Sequence, residues 1–236
     1  MQLKISHERS FARLLATILA SVLMVTVVAA MADTTEGGTA PGANVQSIED
    51  VIRNPSSAPE RAKFMVAFLM MQDPEAGFKL DAEVRDKLGD SIGAKIDRDY
   101  LRGRELAIEG KSTEALQIAE EMISHAQSAI VGYRLRAETS FIAGDLVTAE
   151  QADDVCIDMS AKQAASSALA ILSSVPKKED VTLQGQVLTY GFFYRAQLPN
   201  FDSFKLPSSA LDDKKKAFLA KHQERIDQGM FPKAKD

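Results

Sequence analysis

Apolar residues recur with the three- and four-residue spacing of α-helices over most of the chain after residue 45. Val84, Leu88 and Ile92, for example, fall on one stripe of a helix, with mostly polar residues between them. The pattern predicts an all-α fold of about nine or ten helices and no substantial sheet.

Proline and capping residues predict where several helices begin and end. Pro59 suits the first turn of a helix that is apolar on most sides and therefore expected to be buried. Asp73-Pro74 predicts the end of that helix. Asp81 is expected to open the next helix, and Ser209 to cap the last one, with Asp212 completing a box-like start.

The aromatic segment 181–197 is the most ambiguous part of this pattern. Leu183, Val187, Tyr190 and Tyr194 share one face if the segment is helical, which is the preferred interpretation. A strand is the alternative, because the residue types between Val187 and Tyr194 also suit β structure.

The first 32 residues have the order of an export signal. Basic residues precede an apolar run from Leu14 to Ala30, and Ala30-Met31-Ala32 has the small-x-small spacing that signal peptidase accepts. Residues 1–32 are therefore predicted to be a signal peptide, which places the remaining chain in the periplasm or outside the cell. An uncleaved membrane anchor is the alternative, because the apolar run is nearly long enough to span a bilayer.

Composition and charge narrow the expected partners. Residues 33–44, rich in Gly, Thr and Ala, are expected to form a flexible leader. The chain has 28 basic and 33 acidic residues, and the signal segment holds three of the former and one of the latter, so the remainder has a net charge of −7. This balance argues against nucleic acid and anionic membrane surfaces as main partners, and no membrane insertion is expected after cleavage.

A short pattern occurs twice with an offset of 34 residues, as GKSTEA at 110–115 and as GDLVTA at 144–149. Each copy has a predicted helix before the Gly and another that contains the Ala. The predicted helical pairs are 97–109 with 112–126, and 130–143 with 146–159.

This arrangement resembles the tetratricopeptide repeat, a two-helix unit of the same period. In that family small residues stand where helices cross closely. Gly103 and Ala137 occupy this position in the first helices, and Ala115 and Ala149 occupy it in the second helices. The resemblance implies antiparallel helical pairs stacked as a short solenoid over residues 96–160.

The resemblance has departures. The usual aromatic residue before the turn is replaced by Leu106 and Ser140, and the terminal proline is missing from both copies. A third unit at 161–197 keeps only the two-helix outline. A generic antiparallel helical bundle is the alternative. The predicted organisation is N-terminal helices at 45–95, two repeats at 96–160 and a C-terminal helical region at 161–236.

Residue types suited to catalysis do not form a recognisable motif. No nucleophile, phosphate-loop, dinucleotide or zinc pattern occurs in the sequence. His125 and His222, the histidines after the signal, are far apart. The acid pairs Glu120-Glu121 and Asp153-Asp154 point about 100° apart on a helix and are expected to be solvated. No catalytic residue, metal or cofactor is predicted.

The single cysteine, Cys156, lies between Val155 and Ile157. A buried thiol acting as a small apolar residue is the preferred interpretation. An intermolecular bridge and a reactive thiol are the alternatives.

Two classes of function remain open. The first is a non-enzymatic binding or scaffold protein whose first helices line a concave groove for a protein or peptide partner. By analogy with the repeat family, the groove-facing residues are Tyr100, Arg104, Arg134 and Glu138. The alternative is that Tyr100 and Phe141 pack between the repeats. The second is a helical enzyme, for example a glycan-acting one, in which the fold brings carboxylates together. A deep polar cleft with two close carboxylates would favour the enzyme.

Overall fold

The computed structural model describes residues 48–57, 59–173 and 183–230. The predicted signal peptide, the predicted leader and most of the break predicted after residue 172 lie outside these ranges. Within them the regular structure is entirely helical, with no strand. The all-α prediction is therefore confirmed for the described residues.

Nine α-helices, numbered here in chain order, make up the described parts of the chain: α1 (Ile48–Arg53), α2 (Pro59–Gln72), α3 (Pro74–Lys87), α4 (Ser91–Ile108), α5 (Ser112–Ile123), α6 (Ala129–Ala143), α7 (Leu146–Ser173), α8 (Leu183–Gln197) and α9 (Asp213–Met230). Short 3-10 turns lie at Pro55–Ser57, Phe201–Phe204 and Ser208–Ala210.

Helix α3 begins earlier than the sequence pattern predicts. The Asp73 side chain accepts a hydrogen bond of 3.1 Å from the backbone nitrogen of Ala76, and Pro74 occupies the first turn. Proline is tolerated there because its missing N–H would have no helical partner. The prediction that Asp81 opens this helix is wrong, since Asp81 lies in its interior.

The start of α9 also differs in detail. The Asp212 side chain accepts a hydrogen bond of 2.8 Å from the backbone nitrogen of Lys215 and thereby caps the helix. Ser209, predicted as the cap, lies in the preceding 3-10 turn. Asp212 rather than Ser209 therefore satisfies the first free backbone N–H groups of α9.

The two predicted glycine turns are present. Gly110 and Gly144 have φ angles of +79° and +85°, and the next helices begin at Ser112 and Leu146. A residue with a Cβ is strained in this left-handed region, so glycine permits the sharp reversal in both places.

Helix α7 is longer than predicted. It runs for 28 residues, so the segment 161–172 continues the helix that was expected to end at 159. A third two-helix unit at 161–197, which the sequence leaves open, therefore has no separate first helix. Helix α8 confirms the helical interpretation of the aromatic segment over the residues that are described.

Small residues allow close packing between the central helices. A Cβ placed on Gly103 of α4 would come within 2.3 Å of the Leu135 side chain on α6. Ala115, Ala137 and Ala149 are each 0 % exposed, as predicted for positions where helices cross. A larger side chain at any of these positions would push neighbouring helices apart.

The apolar core has two parts. The larger part contains residues from all nine helices and includes the stacked rings of Phe64 and Phe192, whose centroids lie 4.3 Å apart. The smaller part lies between α6, α7 and α9, where Phe141, Phe201 and Phe218 pack together. Between the helices of the larger core lie the buried charges described next.

Candidate binding site

The four residues predicted to line a groove meet around the carboxylate of Glu138. The Tyr100 hydroxyl donates a hydrogen bond of 2.8 Å to Glu138 Oε2. Arg134 Nε donates to Glu138 Oε1 at 3.2 Å, and Arg104 Nη1 donates to Oε2 at 3.4 Å. Because α4 carries Tyr100 and Arg104 and α6 carries the other two, this network ties the two helices together.

These four side chains are not exposed, as a groove would require. Their relative exposure lies between 0 and 4 %. The prediction that Tyr100, Arg104, Arg134 and Glu138 line an open groove is therefore corrected. The structure brings them together as a buried network, because the chain segment 196–204 covers them.

The covering segment makes specific polar contacts with the network. The backbone nitrogen of Asn200 donates a hydrogen bond of 3.0 Å to Glu138 Oε1. Arg104 Nη2 donates to Ser203 Oγ at 2.7 Å, and its guanidinium lies 3.8 Å from the centre of the Phe204 ring. The chain itself therefore occupies the place that a partner peptide was expected to take.

Burial makes Tyr100 and Arg134 unsuited to proton transfer near neutral pH. It raises the pKa of Tyr100 well above its ordinary value, although the neighbouring guanidiniums oppose this. Burial also disfavours the charged form of Arg134, but the oxygens of Tyr100 and Glu138 keep its pKa above the ordinary value. Groups that do not change protonation near neutral pH serve position rather than proton transfer.

Arg134 also lines a cleft of about 380 Å³ that reaches the surface between six helices, α2, α3, α4, α6, α7 and α8. Its volume is within the usual range for ligand sites, from about 300 to 1,000 Å³. The apolar lining includes Val66, Met70, Phe78, Ile96, Ile130 and Phe193, and the polar lining includes Lys63, Asp81, Arg85, Asp97, Gln163 and Gln197. This combination is typical of a binding site.

A cluster of carboxylates around Arg85 forms one side of the cleft. Arg85 Nε donates a hydrogen bond of 2.9 Å to Asp81 Oδ2, and Nη1 donates to Asp90 Oδ2 at 2.8 Å. Asp97 Oδ2 lies 3.1 Å from Arg85 Nε but accepts no hydrogen bond, since the single N–H of that nitrogen is directed to Asp81. One guanidinium therefore faces three carboxylates.

Local structure places these side chains. Asp81 and Arg85 lie one turn apart on α3, so they share a face. Asp90 caps α4 by accepting a hydrogen bond of 2.9 Å from the backbone nitrogen of Gly93. Asp97 follows two turns later on α4, where it is only 2 % exposed.

Burial, followed by the charge of Asp81, raises the pKa of Asp97 to about 8, and Arg85 offsets this only in part. The backbone hydrogen bond from Gly93 lowers the pKa of Asp90. Burial opposes the charge on Arg85, but Asp81 and Asp97 hold its pKa above the ordinary value. Asp97 is thus a buried carboxyl that changes its charge close to neutral pH, a property that is frequent at functional sites.

The sequence interpretation did not identify this cluster. Pairs such as Asp81 and Arg85 are common on exposed helix surfaces, so their spacing indicates no function. A weak signal existed in α4, where Asp97 falls on the same helical face as Tyr100 and Ala107, both fully buried. A carboxylate on a buried stripe needs a partner, but only the fold shows which one.

A second, smaller cavity of about 220 Å³ is lined by His222. The Nδ1 atom of His222 lies 2.8 Å from Asp153 Oδ2, and Arg225 Nη2 lies 3.5 Å from the same oxygen. Asp153 is 0 % exposed, so the prediction of a solvated acid pair is wrong for Asp153, because α9 covers this side of α7. Asp154 is exposed, as expected.

Cys156 is fully buried, as its apolar neighbours predicted. Burial raises the pKa of its thiol to about 12. Because the thiolate is the reactive form, the reactive-thiol alternative is disfavoured for the folded protein.

Two further findings apply to the residues that the structure describes. No group of three or more His, Cys, Asp and Glu side chains is placed there to hold a metal ion. No helix in that part of the chain is sufficiently long and apolar to cross a membrane.

Comparison with known proteins finds no relative. No protein family, no curated protein and no solved structure matches this chain. The class that the fold and site define is an all-helical protein with an apolar cleft and a buried carboxylate cluster.

Proposed function

We propose that this protein is an exported, non-enzymatic binding protein, and that a protein or peptide partner enters the cleft beside Asp97. The observation that carries the proposal is the cleft itself, which combines apolar walls with ionisable side chains at one side. The proposed contact surface thus lies next to the buried Glu138 network rather than on it. Arg134 borders both, so the network supports one wall of the cleft.

The size of the cleft limits what it can receive. A volume of about 380 Å³ accommodates one or two large side chains or a short chain end, not a folded surface. Binding energy in protein interfaces is commonly concentrated in a few side chains inserted into such pockets. We therefore propose recognition of a short segment of the partner.

We further propose that α4–α5 and α6–α7 are two units similar to tetratricopeptide repeats. The support is the 34-residue offset of the turn glycines, their shared left-handed conformation and the tight contact of Gly103 with Leu135. The length of α7 departs from the family pattern. In this proposal the first helices, α4 and α6, provide a wall of the binding cleft.

The proposal of export rests on the residue order of the segment 1–32. Mass spectrometry of the protein recovered from the periplasm or the medium is expected to find an N-terminus near Asp33. Recovery of an intact residue 1–32 segment in the membrane fraction would instead support the anchor and place the protein on the membrane.

Blocking the cleft tests the binding proposal. Leu88 lines the cleft and is 38 % exposed, so Leu88→Trp can fill the mouth without disturbing the core. Ile108→Trp is the matched control, because Ile108 is 59 % exposed at the far end of α4 and does not line the cleft. Proteins of the exported fraction that are enriched by the wild type and the control should be lost with Leu88→Trp. Equal enrichment by all three would overturn the proposal.

The changes Arg104→Glu and Arg134→Glu, which would test an exposed groove, are unsuited to this purpose. Both side chains are buried beside Glu138, so either change would place a second carboxylate next to that of Glu138. Loss of binding would then follow from loss of folding.

A second proposal, an enzyme acting on glycans, is favoured by one observation. One carboxylate oxygen of Asp81 and one of Asp97 lie 2.9 and 3.1 Å from Arg85 Nε, and both residues line the same cleft. Two carboxyl groups held close together in a cleft can act as an acid and a base in glycoside hydrolysis. Release of reducing ends from cell-wall glycans by the wild type, but not by Asp97→Asn, would support the enzyme and replace the first proposal.

A further inference from the structure

We propose that the cleft recognises a primary ammonium group carried on an apolar chain, and that the Asp97 carboxylate is its direct partner. The inference rests on the proposed binding function and adds the chemistry of the ligand. In a protein partner this group has two sources. One is an amino terminus whose first residue has an apolar side chain, and the other is the side chain of a lysine.

Asp97 is positioned as an acceptor that the fold does not satisfy. Its side chain is 3 % exposed and lines the cleft, and its Oδ2 atom accepts no hydrogen bond. The nearest cation, Arg85, lies 3.1 Å from Asp97 Oδ2 through Nε, but the N–H of Nε is directed to Asp81 and Nη1 donates to Asp90. When Asp97 loses its proton, its buried carboxylate oxygen has no donor, which is costly, and a bound ammonium would provide one.

The charges that line the cleft and cap its rim favour a cation over an anion. Once Asp97 has lost its proton, the carboxylates of Asp81, Asp90 and Asp97 outnumber the two cations at this end, Arg85 and the exposed Lys63. Arg134, the third cation of the lining, contributes little to this charge balance because it is already paired. Arg134 donates to Glu138 and, through Nη1, to the carbonyl oxygen of Ala196 at 2.9 Å.

The apolar lining specifies what carries the ammonium. Val66, Phe78 and Ile130 belong to three different helices that surround the cleft. A hydrated inorganic cation gains nothing from such walls, whereas an alkyl chain is transferred from water to an apolar surface. The combination therefore selects an amphipathic amine rather than a metal ion.

Hexylammonium is a suitable probe, with 1-hexanol as its uncharged counterpart. Titration calorimetry at pH 8 should give a Kd for hexylammonium at least about tenfold lower than for 1-hexanol. Asp97→Asn should raise the hexylammonium Kd by at least about tenfold and leave that of 1-hexanol unchanged. Asp99→Asn is the matched control on the same helix, since Asp99 pairs with Lys95 and does not line the cleft.

A pH series gives a readout that loss of folding cannot imitate. The groups around Asp97 are Asp81 and Arg85 on α3, Asp90 before α4, Arg134 on α6 and Lys63 on α2. Because the carboxyl of Asp97 must lose its proton to pair with a cation, affinity for hexylammonium should rise as pH increases from 6 towards about 8 and then level off. Binding at pH 6.5 should release a proton, so its measured heat should differ between phosphate and Tris buffers.

Short peptides distinguish the two sources of the group. If the partner inserts its amino terminus, a peptide beginning with Leu should bind, and its acetylated form should bind at least about tenfold less well. If it inserts a lysine, an acetylated peptide with an internal Leu-Lys pair should bind instead. Either result supports ammonium recognition.

The outcomes separate this inference from the proposed function. If hexylammonium and 1-hexanol bind with equal affinity, and Leu88→Trp weakens the binding of both, ammonium recognition is overturned but the cleft remains a binding site. Ammonium recognition is also overturned if hexylammonium does not bind with a Kd below about 10 mM. The enrichment of partner proteins then tests the cleft as a binding site independently. If both probes bind and Leu88→Trp weakens neither, the result counts against both proposals. Circular dichroism of every variant confirms that it is folded.

Discussion

The Tyr100 hydroxyl donates a hydrogen bond of 2.8 Å to Glu138 Oε2 across 38 residues of sequence, and both side chains are 0 % exposed. Glu138 also receives donors from Arg104, Arg134 and the backbone of Asn200. This one carboxylate therefore links α4, α6 and the segment after α8. Such a buried charge is tolerated only while all its partners are present.

Replacement of Glu138 by alanine should strongly destabilise the protein. The change leaves the guanidiniums of Arg104 and Arg134 buried without their carboxylate, and breaking a buried ion pair in this way costs about 3–5 kcal/mol. Urea unfolding should report the loss. Glu121→Ala is the control, since Glu121 is exposed and should change the free energy of unfolding by less than about 0.5 kcal/mol. Similar values for both variants would contradict a central role for Glu138.

Asp97→Asn should reduce the dependence of stability on pH. Asp97 has a pKa of about 8 in the folded protein and about 3.9 when unfolded, so the folded state holds more protons between these values. The wild-type free energy of unfolding should therefore lose a contribution as pH rises from about 4 to about 8. The amide that replaces the carboxyl in the variant has no proton to lose over this range.

The measurement is the difference in melting temperature between the Asp97→Asn variant and the wild type at several pH values. The variant should gain stability relative to the wild type as pH rises through this range, whereas Asp99→Asn should show no such trend. A constant difference between pH 5 and pH 9 would show that Asp97 titrates normally.

Local pattern predicted the helices well, because apolar stripes and turn glycines act within a few residues of each other. The turns at Gly110 and Gly144 and the buried positions Ala115 and Ala149 are examples. Predicted helix boundaries were wrong where two sequence signals competed. Asp73-Pro74 suits both the end of one helix and the start of the next, and here it is the start of α3 that was missed.

The site was less predictable, because its geometry depends on contacts that are distant in sequence. Residues chosen by analogy with the repeat family do meet, as Arg104 and Glu138 show. Their burial depends on the segment around Asn200, which no repeat pattern describes. Asp153 illustrates the same difficulty, since α9 lies about 70 residues further on and converts a nominally exposed acid into a buried partner of His222.

Cys156 should be unreactive in the native protein. Its thiol is fully buried and its pKa is raised to about 12, so very little thiolate exists at pH 8. Native protein should resist modification by iodoacetamide at this pH, and denatured protein should be modified fully, as judged by intact mass. Rapid labelling under native conditions would show that the core around α7 opens easily or that the residue is exposed.

Ala149→Leu tests the packing that the repeat proposal requires. Ala149 is 0 % exposed on α7 and belongs to the apolar cluster that contains Ala137 and Phe141 of α6. A leucine there must displace neighbouring side chains or separate the helices, which costs about 1–3 kcal/mol. For a domain of this size that corresponds to a fall in melting temperature of about 2–10 °C. Val147→Leu provides the matched control on the same helix, because Val147 is 69 % exposed and has room for the added volume. If the two variants melt at the same temperature, α6 and α7 do not cross closely at Ala149, and the similarity to the repeat family loses its main structural support.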